Sequence, residues 1–459
     1  MDRDKMRIVI IGCDKIGNAI LEQFMEEGDH IISVIDIDGA RVKRAFDKYE
    51  ITGVVGNGAS YEVQQKANVD KADLVIAGTN SDEVNILCCM VAKDLGAQHT
   101  VIINNNEKYS DQIENLRDRL NINLSVSPEK EAAAEVARML RFPSALQVEL
   151  FADGKMEMID VILSDDSEFV GYTIAAKHGR LYPDVQICAV ERDGEIIIPS
   201  GNLVLEAGDR LSIASTVTGV IRYLKGTGLY QSRIKRVMIL GGGVSSYYLA
   251  RRILAAGMDV TIIEGDLERC RYLSEQLPKA TIIKGGDNDY ELMRNEGLVT
   301  SDAFVAFTTN NEKNIIASLY ALNKNVSKVI TAIDENNLFS VVGEIELGSV
   351  VSPNVLTATR IMHFVKGLQS AKDLGSKLNA IFTLGDSDAY VLEFIINDKF
   401  TKQNVPLKDL TLKPNTLIAM IIRDNRTIIP RGNDVISEGD YVIVVTKEKG
   451  VDGINEVIE

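Results

Sequence analysis

No apolar run in this 459-residue chain approaches the ~18–20 residues that span a bilayer. The apolar stretch from Arg7 to Cys13 is short and is followed by Asp14 and Lys15, which the apolar core of a secretion signal would not tolerate. A soluble, cytoplasmic protein with no direct membrane insertion is therefore expected, any membrane role coming through a partner. Five cysteines, Cys13, Cys88, Cys89, Cys188 and Cys270, show no C-x-x-C spacing, which fits a reducing compartment and no zinc site. The four histidines, His30, His99, His178 and His363, lie far apart beside no metal-type cluster, so no metal centre is expected. Basic charge is short as well. A net charge of −16 argues against a nucleic-acid partner, because phosphate backbones attract basic surfaces. A P-loop is missing too: Gly12-x-x-x-x-Gly17 runs into Asn18-Ala19, without the Lys-Ser/Thr that would serve a triphosphate.

What is present is a repeat. The chain is too long for one hydrophobic core, and residues 7–12, RIVIIG, return as 236–241, RVMILG, 229 residues on. SVIDIDGAR (33–41) answers TIIEGDLER (261–269), and GNGASYEV (56–63) answers GGDNDYEL (285–292). DLVIAGTNSDEVN (73–85) answers DAFVAFTTNNEKN (302–314), and SVSPEK (125–130) answers VVSPNV (350–355). A second kind of segment repeats further on: 195–213 and 426–444 share Ile-Ile-Pro-x-Gly-Asn, five residues, then Gly-Asp and an alternating strand. The Gly-Asp pairs at 208–209 and 439–440 read as tight turns between two strands.

Each half thus carries two modules. In the first, near-continuous apolar strands (7–11, 31–35, 73–77) are what a parallel sheet buried on both faces requires. Amphipathic stretches such as 17–26 and 82–95 supply the crossover helices. Helical runs at 129–141 and 355–366 follow Pro128 and Pro353, which suit a first helical turn. The expected fold is α/β, a tandem duplication of a Rossmann-like parallel-sheet domain followed by a small α+β domain. Boundaries are expected at 1–122, a linker and crossover helix at 123–142, and a small domain at 143–226. The second half repeats them at 233–348, 349–370 and 371–459, with the polar stretch GTGLYQS (226–232) linking the halves.

Gly241-Gly242-Gly243-Val244-Ser245-Ser246 follows a strand and opens a helix, a dinucleotide fingerprint. The first glycine makes the turn, the second admits a pyrophosphate and the small last residue lets helix and strand pack closely. Glu264 ends the next strand at the spacing where a carboxylate accepts ribose hydroxyls. The first half departs from this pattern. In Gly12-Cys13-Asp14-Lys15-Ile16-Gly17, Asp14 stands where the second glycine belongs, although Asp36 keeps the ribose position. A carboxylate there crowds and repels a pyrophosphate. The site is then either degenerate or takes a ligand that avoids that spot, such as a nucleoside or monophosphate. The side chain of Lys15 is expected in solvent. Asn57-Gly58 and Gly286-Asp287 follow the third strand, and Thr79-Asn80 and Thr308-Thr309 end the fourth. All fall on the carboxyl edge of a sheet, where open α/β folds bind ligands. Thr79 and Thr308, with Glu83 and Glu312 beyond them, also read as caps of the next helix.

Together these residues resemble the RCK (regulator of potassium conductance, or KTN) family in its potassium-uptake branch. The most specific pieces are Thr79-Asn-Ser-Asp-Glu83, Ser127-Pro-Glu129, the run FPSALQVELFADGKM (142–156) and the paired Gly-Asn…Gly-Asp segments. The resemblance covers essentially the whole chain. It implies NAD(H) or an adenine nucleotide (ATP or ADP) as regulatory ligand, in crevices built from Gly12 to Ile16, Asp36, Asn57, Gly58, Thr79 and Asn80. In the second half they are Gly241 to Ser245, Glu264, Gly286, Asp287, Thr308 and Thr309. It further implies self-association into a ring, with a homotetramer expected, against a membrane-embedded Trk-type potassium-conducting subunit. No catalytic residue is expected. The rival, an NAD-dependent oxidoreductase, rests on Tyr320-x-x-x-Lys324, whose counterpart in the first half has neither residue. A regulator of a different ion channel or exporter is the third reading.

Overall fold

Strands rich in Ile and Val, buried on both faces, alternate with amphipathic helices in each half. The computed structural model describes residues 5–27, 30–141, 148–151, 156–227, 234–335, 338, 347–369, 376–384, 389–424, 426–451 and 453–458. The first half begins β1 (Arg7–Ile11), α1 (Lys15–Glu27), β2 (Ile31–Asp36), α2 (Gly39–Tyr49), β3 (Thr52–Val55) and α3 (Tyr61–Lys66). It continues with β4 (Leu74–Ala77), α4 (Asp82–Leu95), β5 (His99–Ile103), α5 (Glu107–Leu116), β6 (Leu124–Val126) and α6 (Pro128–Arg141). The six strands form one parallel sheet in the order β3-β2-β1-β4-β5-β6. This is the doubly wound arrangement, whose order reverses at β1 and β4 and opens a crevice there.

The small domain that follows has β7 (Val148–Phe151), β8 (Met156–Ile162), α7 (Gly179–Leu181), β9 (Gln186–Arg192), β10 (Glu195–Ile197), β11 (Arg210–Ser215) and α8 (Val217–Gly226). The second half repeats the parallel sheet as β12 (Arg236–Leu240), α9 (Val244–Ala255), β13 (Asp259–Glu264), α10 (Leu267–Gln276), β14 (Thr281–Lys284) and α11 (Tyr290–Asn295). Then come β15 (Ala303–Ala306), α12 (Asn311–Asn323), β16 (Lys328–Ala332), β17 (Ser349–Val351) and α13 (Pro353–Gln369). The order β14-β13-β12-β15-β16-β17 is the same topology again. The last small domain holds β18 (Ser376–Thr383), β19 (Tyr390–Ile396), β20 (Thr416–Arg423), β21 (Arg426–Ile428) and β22 (Tyr441–Thr446).

The halves are not the compact units. One unit joins the two parallel-sheet domains (1–141 with 234–362), and the other joins the two small domains (142–233 with 363–459). Within the first unit α6 crosses over. Its Ala132, Ala133, Val136 and Leu140 are buried in one cluster with Tyr247, Tyr248, Leu249 and Ile253 of α9. From the other half, Thr359 of α13 accepts a hydrogen bond of 3.3 Å from Gln23 of α1.

In the second unit each small domain is built on an antiparallel sheet, β10-β9-β11-β8-β7 and β18-β19-β22-β20-β21. Gly208 and Gly439 turn with φ of +85° and +83°, the left-handed region that favours glycine. Each turn feeds a strand on one side only; on the other stands a single bridge, Thr173 to Val204 or Pro406 to Val435. The following aspartates explain the repeat. Buried Asp209 takes Arg192 at 2.7 and 2.8 Å, and buried Asp440 takes Arg423 at 2.8 and 2.7 Å. Of the expected linker, Gly226 closes α8 while 228–232 lie outside the described residues, as do 142–147 and 152–155 of the run 142–156.

Candidate functional site: two unequal crevices

Both glycine turns are shaped by the same constraints. Gly12 and Gly241 have φ of +104° and +95°, and a Cβ on either would lie within 3 Å of the backbone leaving the fourth strand, at Gly78 O or Phe307 O. Their amides donate at 2.8 Å to Ile35 O and Ile263 O, fastening the turn to the second strand. Asp36 and Glu264 then brace it. One carboxylate oxygen of Asp36 accepts from Cys13 N–H (2.7 Å) and the other from Asp38 N–H (2.8 Å). Glu264 does the same for Gly242 and Asp266, both at 2.6 Å. Each oxygen keeps a lone pair for a further donor.

Beyond this point the crevices part. Asp14 Oδ1 accepts from Ile16 N–H (3.1 Å) and Gly17 N–H (3.2 Å). The residue expected to crowd a phosphate therefore also caps α1, consuming donors that an anion would need. Gly17, at the last position of the motif, has no room for a side chain: a Cβ would come 1.9 Å from Gly12 O. In the second half Gly243 is the N-cap of α9, offers no side-chain hydrogen bond and has open space where a Cβ would stand. Val244 and Ser245 begin α9, and buried Ser246 fills the last motif position. This helix start keeps its N–H groups and partial positive charge for a ligand.

The sheet edge is held by two asparagines that the sequence reading passed over. Buried Asn85 accepts from Thr79 N–H (2.7 Å) and Thr79 Oγ1 (2.6 Å), and donates to Thr79 O (2.9 Å) and Ile103 O (3.0 Å). Asn314 repeats every bond with Thr308 and Ala332 O, at 2.7–3.1 Å. The signal was available, since both residues close the repeated segment 73–85 and 302–314. The expected capping by Thr79 and Thr308 is corrected: Ser81 and Asn310 cap α4 and α12, and the threonine hydroxyls are turned onto the asparagines. Asn80 and Thr309 are exposed beside them.

At the third strand, exposed Asn57 accepts from Ala59 N–H (3.0 Å) in a local turn, and buried Gly58 lies against Ile11, where a Cβ would come within 2.2 Å of Cγ2. Gly286 is exposed, and Asp287 pairs with Lys313 at 2.8 Å. Burial, with Asp36 and Asp14 adding repulsion, pushes the Cys13 thiol up to about 12. It stays protonated at neutral pH and is no nucleophile.

Each turn also touches the other parallel-sheet domain. Lys15 is exposed as expected, yet its Nζ meets Glu335 at 3.0 Å. The second turn is tied more firmly. Arg269 Nε donates to Gly242 O (2.6 Å), its terminal nitrogens to Glu107 Oε2 (3.2 Å each), and Tyr272 O–H to Glu107 Oε1 (2.6 Å). At the start of α6, burial raises Glu129 to about 7, with Asp82 and Asp334 adding repulsion. The corresponding residue of the second half, Asn354, is neutral. Among the described residues no helix is long and apolar enough to cross a membrane, and no group of three or more potential metal ligands occurs.

These features define a class, a tandem pair of nucleotide-fold domains each followed by a small antiparallel domain. The TrkA-N domain model matches residues 8–128 and 237–353, and the TrkA-C domain model residues 158–225 and 404–458. The Trk system potassium uptake protein TrkA homolog 1 of Methanosarcina mazei is 31% identical over 96% of this chain and 97% of its own. The chain belongs to the TrkA family. Among solved structures, the GsuK RCK domain superposes with a TM-score of 0.63 at 16% identity, over 97% of this chain and 93% of that one. The GsuK channel bound to NAD gives 0.62 at 16% identity, over 97% and 77%. At these identities the likeness shows the shared fold.

Proposed function

We propose that this protein is the nucleotide-sensing regulatory subunit of a Trk-type potassium-uptake system, acting at the cytoplasmic face of a membrane ion-conducting partner. The observation that carries the proposal is the second glycine turn: an uncapped helix start, an open Gly243 and the Glu264 carboxylate converge on one crevice. That is a diphosphate-and-ribose site, suited to NAD(H) or ADP. Membership of the TrkA family and the NAD-bound GsuK relative support the same ligand class. Binding there bears on the joint of Arg269, Tyr272 and Glu107 between the two parallel-sheet domains, so occupancy is transmitted as a change of shape. The ligand is sensed and not turned over.

The protein self-associates, with four chains as the proposed stoichiometry. Leu87 and Met90 on α4 are exposed, and so are Ile316 and Leu319 at the matching positions of α12. An apolar face repeated in both halves suits a closed, symmetric assembly. The test is potassium flux in vesicles holding the Trk-type membrane subunit of the same genome, with and without the chain and NADH. Flux that changes with nucleotide only when the chain is present supports the proposal; flux indifferent to the chain removes it.

A further inference from the structure

The first crevice is closed to phosphate but keeps the rest of a nucleoside site. Asp36, almost fully buried, presents its carboxylate at the ribose position. Ile37, directly after it, is 76% exposed. Val55, which pairs with Asp36 in the parallel register, is 57% exposed. A Cβ built on Gly39 would lie 3.7 Å from Val55, so the start of α2 borders Val55, and Ile37 and Val55 flank Asp36 along the chain and across the register. The second half has nothing similar: Gly265 follows Glu264, whose register partner is the exposed cation Lys284.

The charges point the same way. Asp14 and Asp36 bond to the first turn, and Asp38 follows as the N-cap of α2. Of the nearby cations, Arg41 lies 3.6 Å from both Asp36 and Asp38, and Lys15 is engaged with Glu335. A phosphate would meet an acceptor-only carboxylate at Asp14 and find the Ile16 and Gly17 amides taken. A 5′-hydroxyl is a donor and can bond to Asp14 instead. An aromatic base gains by covering exposed aliphatic surface.

We infer that the first crevice binds an uncharged purine nucleoside and discriminates against its 5′-phosphate, the ribose resting on Asp36, the 5′-hydroxyl on Asp14 and the base on Ile37 and Val55. The inference rests on both crevices being nucleoside-type sites, as proposed above, and not on potassium transport. The probes are adenosine and AMP, titrated by calorimetry into the full chain saturated with NADH. Adenosine is expected to bind once per chain and AMP at least tenfold more weakly. Asp14→Gly should admit NADH itself to this crevice and so abolish adenosine binding under the same conditions. Asp14→Asn, which keeps an acceptor for the cap, should narrow the gap without loss of fold. Ile37→Glu, at an exposed position, should weaken adenosine at least fivefold and leave NADH binding unchanged. Equal affinity for AMP and adenosine in the unmodified chain, or no adenosine binding while NADH binds normally, overturns the inference and leaves the proposed function standing. If NADH does not bind, the nucleotide reading of the second crevice fails, and adenosine and AMP compared on the free chain decide the first.

Discussion

The two glycine turns share a backbone and differ at the third position of the motif, Asp14 in one and Gly243 in the other. Gly12 and Gly241 make the same left-handed turn, and Asp36 and Glu264 brace it through the same pair of amides. Yet the first helix is capped from within by Asp14, and the second begins at a bare glycine. A duplicated fold can therefore keep its scaffold while a single side chain changes what one helix start offers. That side chain does not leave a gap: it satisfies two amides at the start of α1 that would otherwise need another partner.

The largest expected effect comes from copying that difference. Gly243→Asp meets open space and a φ of −62°, so the fold should tolerate it. Two unit charges ~4 Å apart repel by roughly 4 kcal/mol at an effective dielectric of 20. With solvent screening, NADH affinity should fall by about tenfold to a thousandfold, read by calorimetry. Unchanged affinity would mean that Asp14 does not govern the first site either.

The halves also differ in how they answer to pH. Burial depresses His178 of the first small domain to about 4. It packs among Phe169, Tyr182 and Tyr223, and its Nε2 has no hydrogen-bond partner among the described residues. Between pH 6.5 and 4 the unfolded chain takes up a proton that the folded domain refuses. Its contribution, roughly 3 kcal/mol, is thus full above pH 6.5 and lost as pH falls to 4. His178→Phe should flatten that slope in denaturant titrations at several pH values. Glu129 runs the other way: raised from 4.5 to about 7, it favours the folded state below pH 4.5 and loses that contribution as pH rises through 7.

A smaller effect tests what the halves have in common. Asn85→Ala and Asn314→Ala each leave a buried strand end without its bonds, so each should cost about 1–3 kcal/mol, by similar amounts. A large cost in one half and none in the other would show that the scaffolds have diverged as the turns have.

Much of this was legible in the residues. Runs such as RIVII and RVMIL could only be strands buried on both faces, the glycines marked the turns, and the carboxylates at 36 and 264 fell at the right spacing. Asp14 was visible as the residue standing in place of the second glycine; its role as a cap was not, because that depends on where its carboxylate turns. Asn85 and Asn314 were missed because a helical asparagine usually reads as a solvated residue, and only tertiary contact puts it between two strand ends. The joint from Arg269 to Glu107 spans 162 positions and two domains, a pairing that no local pattern encodes. Threonine next to a helix start suggested a cap, but Ser81 and Asn310 stand nearer the helix and take that place.

The central claim is that the two crevices are unequal, and the stoichiometry of NADH binding to the full chain tests it most directly. Calorimetry of the unmodified protein should give one NADH per chain, and Asp14→Gly should add a second site. Two NADH bound per chain with equal affinity, and no change on Asp14→Gly, would contradict it.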